Sequence, residues 1–143
     1  MKKIIVPIDF SDHSEYALKA AAKLARRNKA DLLVLHMLEM SDIMLTASDD
    51  LQDQKAVFFF KLAEQKFENF LKKDYLEGLT VIPIVKHFKV FSEVNDVAKK
   101  HDADLIVMGS HGSSGMKEFF VGSNTERVVR HAEIPVLVVK KDI

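Results

Sequence analysis

Apolar positions along the chain gather into five short runs, separated by stretches in which they recur at three- and four-residue steps. Ile4-Ile5-Val6-Pro7-Ile8, Leu32-Leu33-Val34-Leu35, Val81-Ile82-Pro83-Ile84-Val85, Leu105-Ile106-Val107-Met108 and Val136-Leu137-Val138-Val139 are apolar without alternation. Runs of this length bounded by polar and turn residues predict strands buried on both faces, the signature of a parallel sheet. Between them, Tyr16, Ala17, Ala20, Ala21, Leu24 and Ala25 give a small-residue face to a helix expected over 13–27, capped by Ser11 or Asp12 and stopped near Asn28. A longer helix is predicted over 51–73 from Phe59, Leu62, Ala63, Phe67, Phe70 and Leu71, preceded by a loop or frayed start over 39–53.

Pro83 inside the third run makes that strand, expected over 80–85, an edge strand, because its ring removes a ladder donor. A loop over 88–91 follows, then a short helix carrying Val94, Val97 and Ala98, with Ser92 able to cap it. A last helix is expected over 124–131, with Ser123 or Asn124 as its N-cap. Strands alternating with helices imply right-handed crossovers and a doubly wound α/β domain with helices on both faces of the sheet. The 143 residues show no linker, low-complexity tract or internal copy, so a single domain over 1–143 is expected.

Composition narrows the function classes. Lys+Arg and Asp+Glu both number 21, so no net charge draws the chain to nucleic acid or an anionic membrane. Cysteine is absent, which removes thiol catalysis and zinc–thiolate sites. No apolar segment approaches the ~20 residues of a membrane span, and no signal-peptide core follows Met1, so the expected location is cytoplasmic. The six histidines show no paired ligand spacing, and His36 reads as a hydrogen-bonded core residue. Neither G-x4-G-K-[S/T] nor G-x-G-x-x-G occurs, and Gly112-Ser113-Ser114-Gly115 is too short for a nucleophile elbow.

Chemistry concentrates after the fourth strand. Gly109 and Gly112 interrupt the chain just past Met108, and Gly122-Ser123 opens the last helix. Glycines admit close approach to bare backbone, and the N–H groups of a helix start attract anions. Both features fall beyond the carboxyl end of one strand, where open α/β sheets bind ligands. The alternative is a pair of tight turns. Asp9, ending the first strand at the same edge, is either a cap for the next helix or a site carboxylate.

The spacing Gly109-x2-Gly112-x9-Gly122-Ser123 resembles the signature of the universal stress protein family in its ATP-binding branch. Ile4-Ile5-Val6-Pro7-Ile8-Asp9-Phe10-Ser11 is similar to the family's first strand and its acidic end, and Ile134-Pro135-Val136-Leu137-Val138-Val139 to its last strand. The resemblance spans essentially the whole chain and is weakest over 39–75. Together with the edge character of the third strand, it implies the order 3-2-1-4-5, which sets the crevice between strands one and four. It further implies an adenine nucleotide, ATP or a relative, with Mg2+. Gly109 and Gly112 would lie against ribose and phosphates. Gly122, Ser123 and Thr125 would cradle the outer phosphates with backbone and hydroxyl donors, and His111 and Asn124 would contribute backbone N–H groups. Pro7 and Ile8 would wall the adenine or ribose, and Asp9 would meet a ribose hydroxyl or the phosphate-bound Mg2+. Met37 matches the position whose backbone reads the adenine edge, and Met108 would pack near the base; both methionines could equally fill core. A homodimer through strand 136–139, and an unidentified protein partner, are also implied.

No general base or arginine finger is evident, so any ATPase activity should be slow or partner-dependent. The expected role is that of a nucleotide-responsive regulator; the alternative is an interaction or scaffold module of the same fold without a working nucleotide site. Where the family usually places a glycine-containing turn after strand three, this chain has Lys86-His87-Phe88-Lys89-Val90-Phe91. The phenylalanines at 58–60, 67 and 70 exceed one helical face, leaving a surplus for core or partner, and Phe119-Phe120 is expected to anchor the loop between the glycine elements.

Overall fold

The computed structural model describes residues 1–39, 49–88, 93–111 and 122–143. Its elements follow the predicted alternation: β1 (Lys3–Ile8), α1 (Asp12–Asn28), β2 (Asp31–Glu39), α2 (Asp49–Phe70), a 3-10 turn (Asp74–Leu76), β3 (Val81–Phe88), α3 (Glu93–Lys100), β4 (Leu105–Gly109), α4 (Ser123–His131) and β5 (Val136–Val139). The five strands form one parallel sheet in the order β3-β2-β1-β4-β5.

The strands carry no alternation because both faces are covered. Ile4, Val6, Ile8, Leu32, Val34, Leu105 and Val107 pack under α1 and Phe67 of α2. The intervening Ile5, Leu33, Leu35, Ile106 and Met108 pack under α3 and α4 through Val94, Val97, Ala98 and Val128. Five alanines of α1, at 17, 20, 21, 22 and 25, are buried. Their small side chains let the helix lie close on the central strands, where its closest partner is β4. β1, flanked on both sides, is buried over Ile4–Ile8, whereas the two edges keep Ile82 (40%) and Leu137 (41%) in solvent. β3, whose Pro83 lacks a ladder donor, is thus an edge, while Pro7 of the central β1 sits next to that strand's end.

Several boundaries differ from the sequence reading. β2 and β3 run longer than expected because they pair with each other to their ends, Met37 with Lys86, Leu38 with His87 and Glu39 with Phe88. Lys86, His87 and Phe88 therefore belong to a strand and not to a loop. The long helix spans Asp49–Phe70, so residues 49–53, expected as loop or frayed start, are helical, and residues 71–73 are not. α1 ends through Lys29, whose φ of 54° closes the helix with its N–H on the Ala25 carbonyl; Asn28 instead turns its side-chain amide onto the Leu24 carbonyl at 2.8 Å. α4 is capped by Gly122, not by Ser123 or Asn124, and no side chain caps it. Ser92, Phe119 and Phe120, and the rest of residues 40–48 and 89–92, where loop was expected, lie outside the described residues. Of the phenylalanines in question, Phe67 is buried and Phe58 is 62% exposed, while Phe70 packs partly against the core.

The candidate site at the carboxyl ends of strands one and four

The turn after β1 is built by a short hydrogen-bond network. Ser11 caps α1 by accepting from the Ser14 N–H. Asp9 Oδ1 accepts from the Ser11 N–H at 3.0 Å and from the Ser14 hydroxyl at 2.6 Å, and the Asp9 N–H donates to Ser14 Oγ at 2.9 Å. One carboxylate oxygen of Asp9 is therefore part of the fold, supporting the turn while Ser11 makes the cap. Phe10 bridges Asp9 and Ser11 with φ 65°, a conformation that is unusual for a bulky residue. Its ring is held by His36, Phe67 and Phe70 at centroid distances of 4.7, 5.7 and 5.4 Å.

The turn after β4 closes against the same corner. Gly109 lies so near the start of α1 that a β-carbon there would sit 2.7 Å from the His13 carbonyl oxygen. The absence of a side chain is thus demanded by helix–strand packing. Beyond it, the Ser110 N–H donates to the Val139 carbonyl, and the Gly122 N–H to the Ser110 carbonyl at 2.7 Å. The Thr125 hydroxyl, buried, donates to the Gly109 carbonyl at 2.8 Å. These bonds pin the start of α4 beside the end of β4. They also use the Gly122 N–H and the Thr125 hydroxyl proton, so neither is a spare donor in this conformation. The backbone N–H groups of Ser123, Asn124 and Thr125 remain, being first-turn donors with no intrahelical acceptor.

One cleft results. β1 contributes Pro7, Ile8 and Asp9, β4 and its turn contribute Met108, Gly109 and His111, and α4 contributes Asn124 and Thr125. Ser14, from α1, lines it as well. The sequence reading missed Ser14; its only signal was its position three residues after a capping serine. Gly122 and Ser123, the N-cap and first residue of α4, precede the lining residues Asn124 and Thr125 and do not line the cleft themselves. Met37 is two strands from β4, opposite Lys86, and its side chain lies outside the described residues. Gly112 lies outside the described residues. The enclosed space is only about 30 Å3, the share of a single water, so a larger ligand must lie across the mouth.

A larger hollow of about 510 Å3 lies between α2 and the edge strand β3, lined by Glu64, Phe67, Glu68, Leu71, Pro83 and Val85. Its described lining residues include two carboxylates and no cation, which disfavours a phosphate there. Among the described residues no group of three or more His, Asp or Glu side chains could hold a metal ion. Asp9 is the single carboxylate among the described residues that line the smaller cleft. That suits Mg2+ only as an ion whose remaining ligands are phosphate oxygens and water.

His36 sits half-buried behind this corner, its Nδ1 3.4 Å from the Ile8 carbonyl oxygen. Burial is the main reason its pKa falls below the ordinary histidine value; the Ile8 carbonyl opposes the shift, Lys66 adds to it and Asp9 opposes it. A histidine that is harder to protonate when folded stabilises the fold fully above its unfolded pKa of about 6.5, and that contribution is lost as pH falls below it, because the unfolded chain then binds the proton better. Urea titrations at pH 7.5 and 5.5 should therefore show a loss of stability that is smaller in His36→Leu. An equal loss in both proteins would place the acid sensitivity elsewhere.

A sequence profile of the universal stress protein family matches residues 1–140. Universal stress protein MJ0577 of Methanocaldococcus jannaschii is 29% identical over 154 residues, covering 98% of this chain and 95% of its own length. A solved structure described as that of hypothetical protein MJ0577 superposes with a TM-score of 0.84 at 30% identity, covering 99% of this chain and 97% of that one. More distant structures share the fold. One is a universal stress protein in complex with cAMP (TM-score 0.60, 19% identity, 96% of this chain and 95% of that one). Another is from Archaeoglobus fulgidus in complex with dAMP (TM-score 0.61, 22% identity, 97% and 98%).

Proposed function

Because this chain belongs to the universal stress protein family, we propose that the cleft between β1 and β4 binds an adenine nucleotide, ATP or a related adenylate, and that the protein acts as a nucleotide-responsive regulator in a stress response. One observation carries this reading. Residues selected from three separate stretches of sequence, Pro7 to Asp9, Met108 to His111 and Asn124 to Thr125, line one small cleft at the carboxyl edge of the sheet. Structures sharing this fold are described with cAMP and with dAMP, and adenylate is the chemistry common to both.

In the proposed complex the phosphates face the backbone N–H groups of Ser123, Asn124 and Thr125, where the helix start supplies partial positive charge. Gly109, His111, Gly112 and Gly122 give the phosphates access to backbone. Pro7 and Ile8 wall the sugar, Met108 lies under the base, and the Met37 backbone meets its edge. Asp9 offers its second oxygen to a ribose hydroxyl or to Mg2+ carried by the phosphates. Nothing in the described cleft supplies a base positioned for water or an arginine finger, so ATP is held with slow turnover or none. Pairing of β5 across a two-fold axis would cover Leu137 and remove an exposed sheet edge, making a homodimer. No helix among the described residues is long and apolar enough to cross a membrane, and we place the protein in the cytoplasm.

The opposing reading is an interaction module of the same fold with no nucleotide. It draws support from the internal use of the Gly122 N–H and the Thr125 hydroxyl. The deciding experiment is to denature the purified protein without added ligand, separate the released small molecules by anion exchange, and identify them by mass. Adenine nucleotide near one per chain is the expected result. An empty protein that also shows no calorimetric binding of Mg-ATP at millimolar concentration would establish the interaction module instead.

A further inference from the structure

Two histidines meet beside the cleft. His13, on the first turn of α1, and His111, on the turn after β4, have ring centroids 5.1 Å apart and ring planes tilted by 53°. His111 is buried and lines the cleft, and its Nδ1 lies 2.8 Å from Ser110 Oγ. His13 Nδ1 is buried with no hydrogen-bond partner, and its ring meets Tyr16 on its other flank at 5.4 Å. The pairing is enforced by the backbone, since the same contact between His13 and Gly109 brings α1 against β4.

Of the common side chains, only imidazole ordinarily changes charge between pH 5 and 8. We propose that His111, flanked by His13, is a proton-accepting phosphate anchor: the pair takes up one proton as the phosphates bind, which makes nucleotide affinity rise as pH falls. This deepens the nucleotide-site reading and rests on it.

The geometry sets where the proton goes. On His111, an Nδ1–H finds Ser110 Oγ as acceptor at the distance already present. On His13, an Nδ1–H would be buried without one, which costs the desolvation of an unmade bond. Two imidazolium rings at this separation repel, so the pair accepts one proton and not two. His13 is then a positioning residue, a neutral ring held against the charged one. Among the described residues, the Asp9 carboxylate lines the same cleft as His111, and the Tyr16 ring packs on the far flank of His13. Phosphates seated at the start of α4 add negative charge to this corner, and that charge drives the uptake.

The test is calorimetric titration of Mg-ATP into the full chain between pH 5.5 and 8, in buffers of different ionisation enthalpy. The parent should bind about tenfold more tightly at the acid end, and the buffer dependence should report close to one proton taken up beyond that measured for Mg-ATP alone. His111→Gln should lose this pH-dependent component; the nucleotide's own titration is common to both proteins and cancels in the difference. His13→Gln should keep the slope and move its midpoint. Circular dichroism melts establish that each variant is folded, and proton uptake by the parent needs no variant at all. Binding without proton uptake, or a slope that survives in His111→Gln, overturns the proposal and leaves the nucleotide site standing. An unmoved midpoint in His13→Gln overturns the pair as a unit. No binding of Mg-ATP at any pH overturns the nucleotide site itself.

Discussion

Replacing Gly109 by alanine is expected to lower the free energy of unfolding by about 3 kcal/mol and the melting temperature by roughly 6–12 °C. The added β-carbon would stand 2.7 Å from the His13 carbonyl oxygen and 2.8 Å from both the His13 carbonyl carbon and its β-carbon. Two of those three atoms are backbone in the first turn of a helix whose alanine face is already seated on the sheet. They cannot rotate aside as a side-chain tip would, which puts the effect at the upper end of the range for overpacking. Either α1 lifts from β4 or the end of β4 bends. A urea titration with an unchanged slope and a lower midpoint is the expected reading. A change below ~0.5 kcal/mol would mean that α1 shifts without strain and that the glycine serves another end.

Gly122→Val separates ligand from fold in the opposite way. Gly122 has φ −62° and ψ 154°, a conformation open to any residue, and its N–H bond to Ser110 can be kept. Gly122 is buried, so the fold must accommodate part of the isopropyl group, and a loss of stability of about 1–3 kcal/mol is expected. An isopropyl group there would, however, stand beside the first-turn N–H groups of Ser123, Asn124 and Thr125, which have no intrahelical acceptor. Affinity for Mg-ATP should fall at least a hundredfold, measured by calorimetry on protein that its melt shows to be folded. Binding as tight as the parent's would remove the start of α4 from the phosphate seat.

The two glycines show how far a sequence can be read. Spacing located both, and the apolar runs located all five strands, because burial on two faces leaves an uninterrupted apolar signature that water would not tolerate elsewhere. What spacing does not encode is which constraint each glycine meets: Gly109 answers to a helix ninety-six positions earlier, Gly122 to the donors that follow it. The order of the sheet came partly from one proline and partly from resemblance. The resemblance gives Thr125 as a phosphate donor, and the fold directs its hydroxyl proton to the Gly109 carbonyl, a bond that no local pattern announces. Strand β3 was cut short because Lys86 and His87 are polar; an edge strand tolerates them, since its pairing is decided by the neighbour it follows. His13 and His111 stand ninety-eight positions apart, and no local pattern links them.

The central strand has a history as well as a position. β1 pairs with β2 some twenty-eight residues away, but with β4 about one hundred residues away, Ile4 beside Leu105. Lys2 and Lys3 reach equally far for Asp104. During synthesis at ~5–20 residues per second, the second flank of β1 waits for roughly 5–20 s before its partner exists. Through that interval its backbone donors and acceptors, set among isoleucine and valine, are open to any other extended chain. Distant parallel pairing is also slow once both strands are present. A substitution in Leu105–Gly109 therefore weighs more heavily on a nascent chain than on a finished one, and its effect would appear in the yield of folded protein before it appeared in a melting curve.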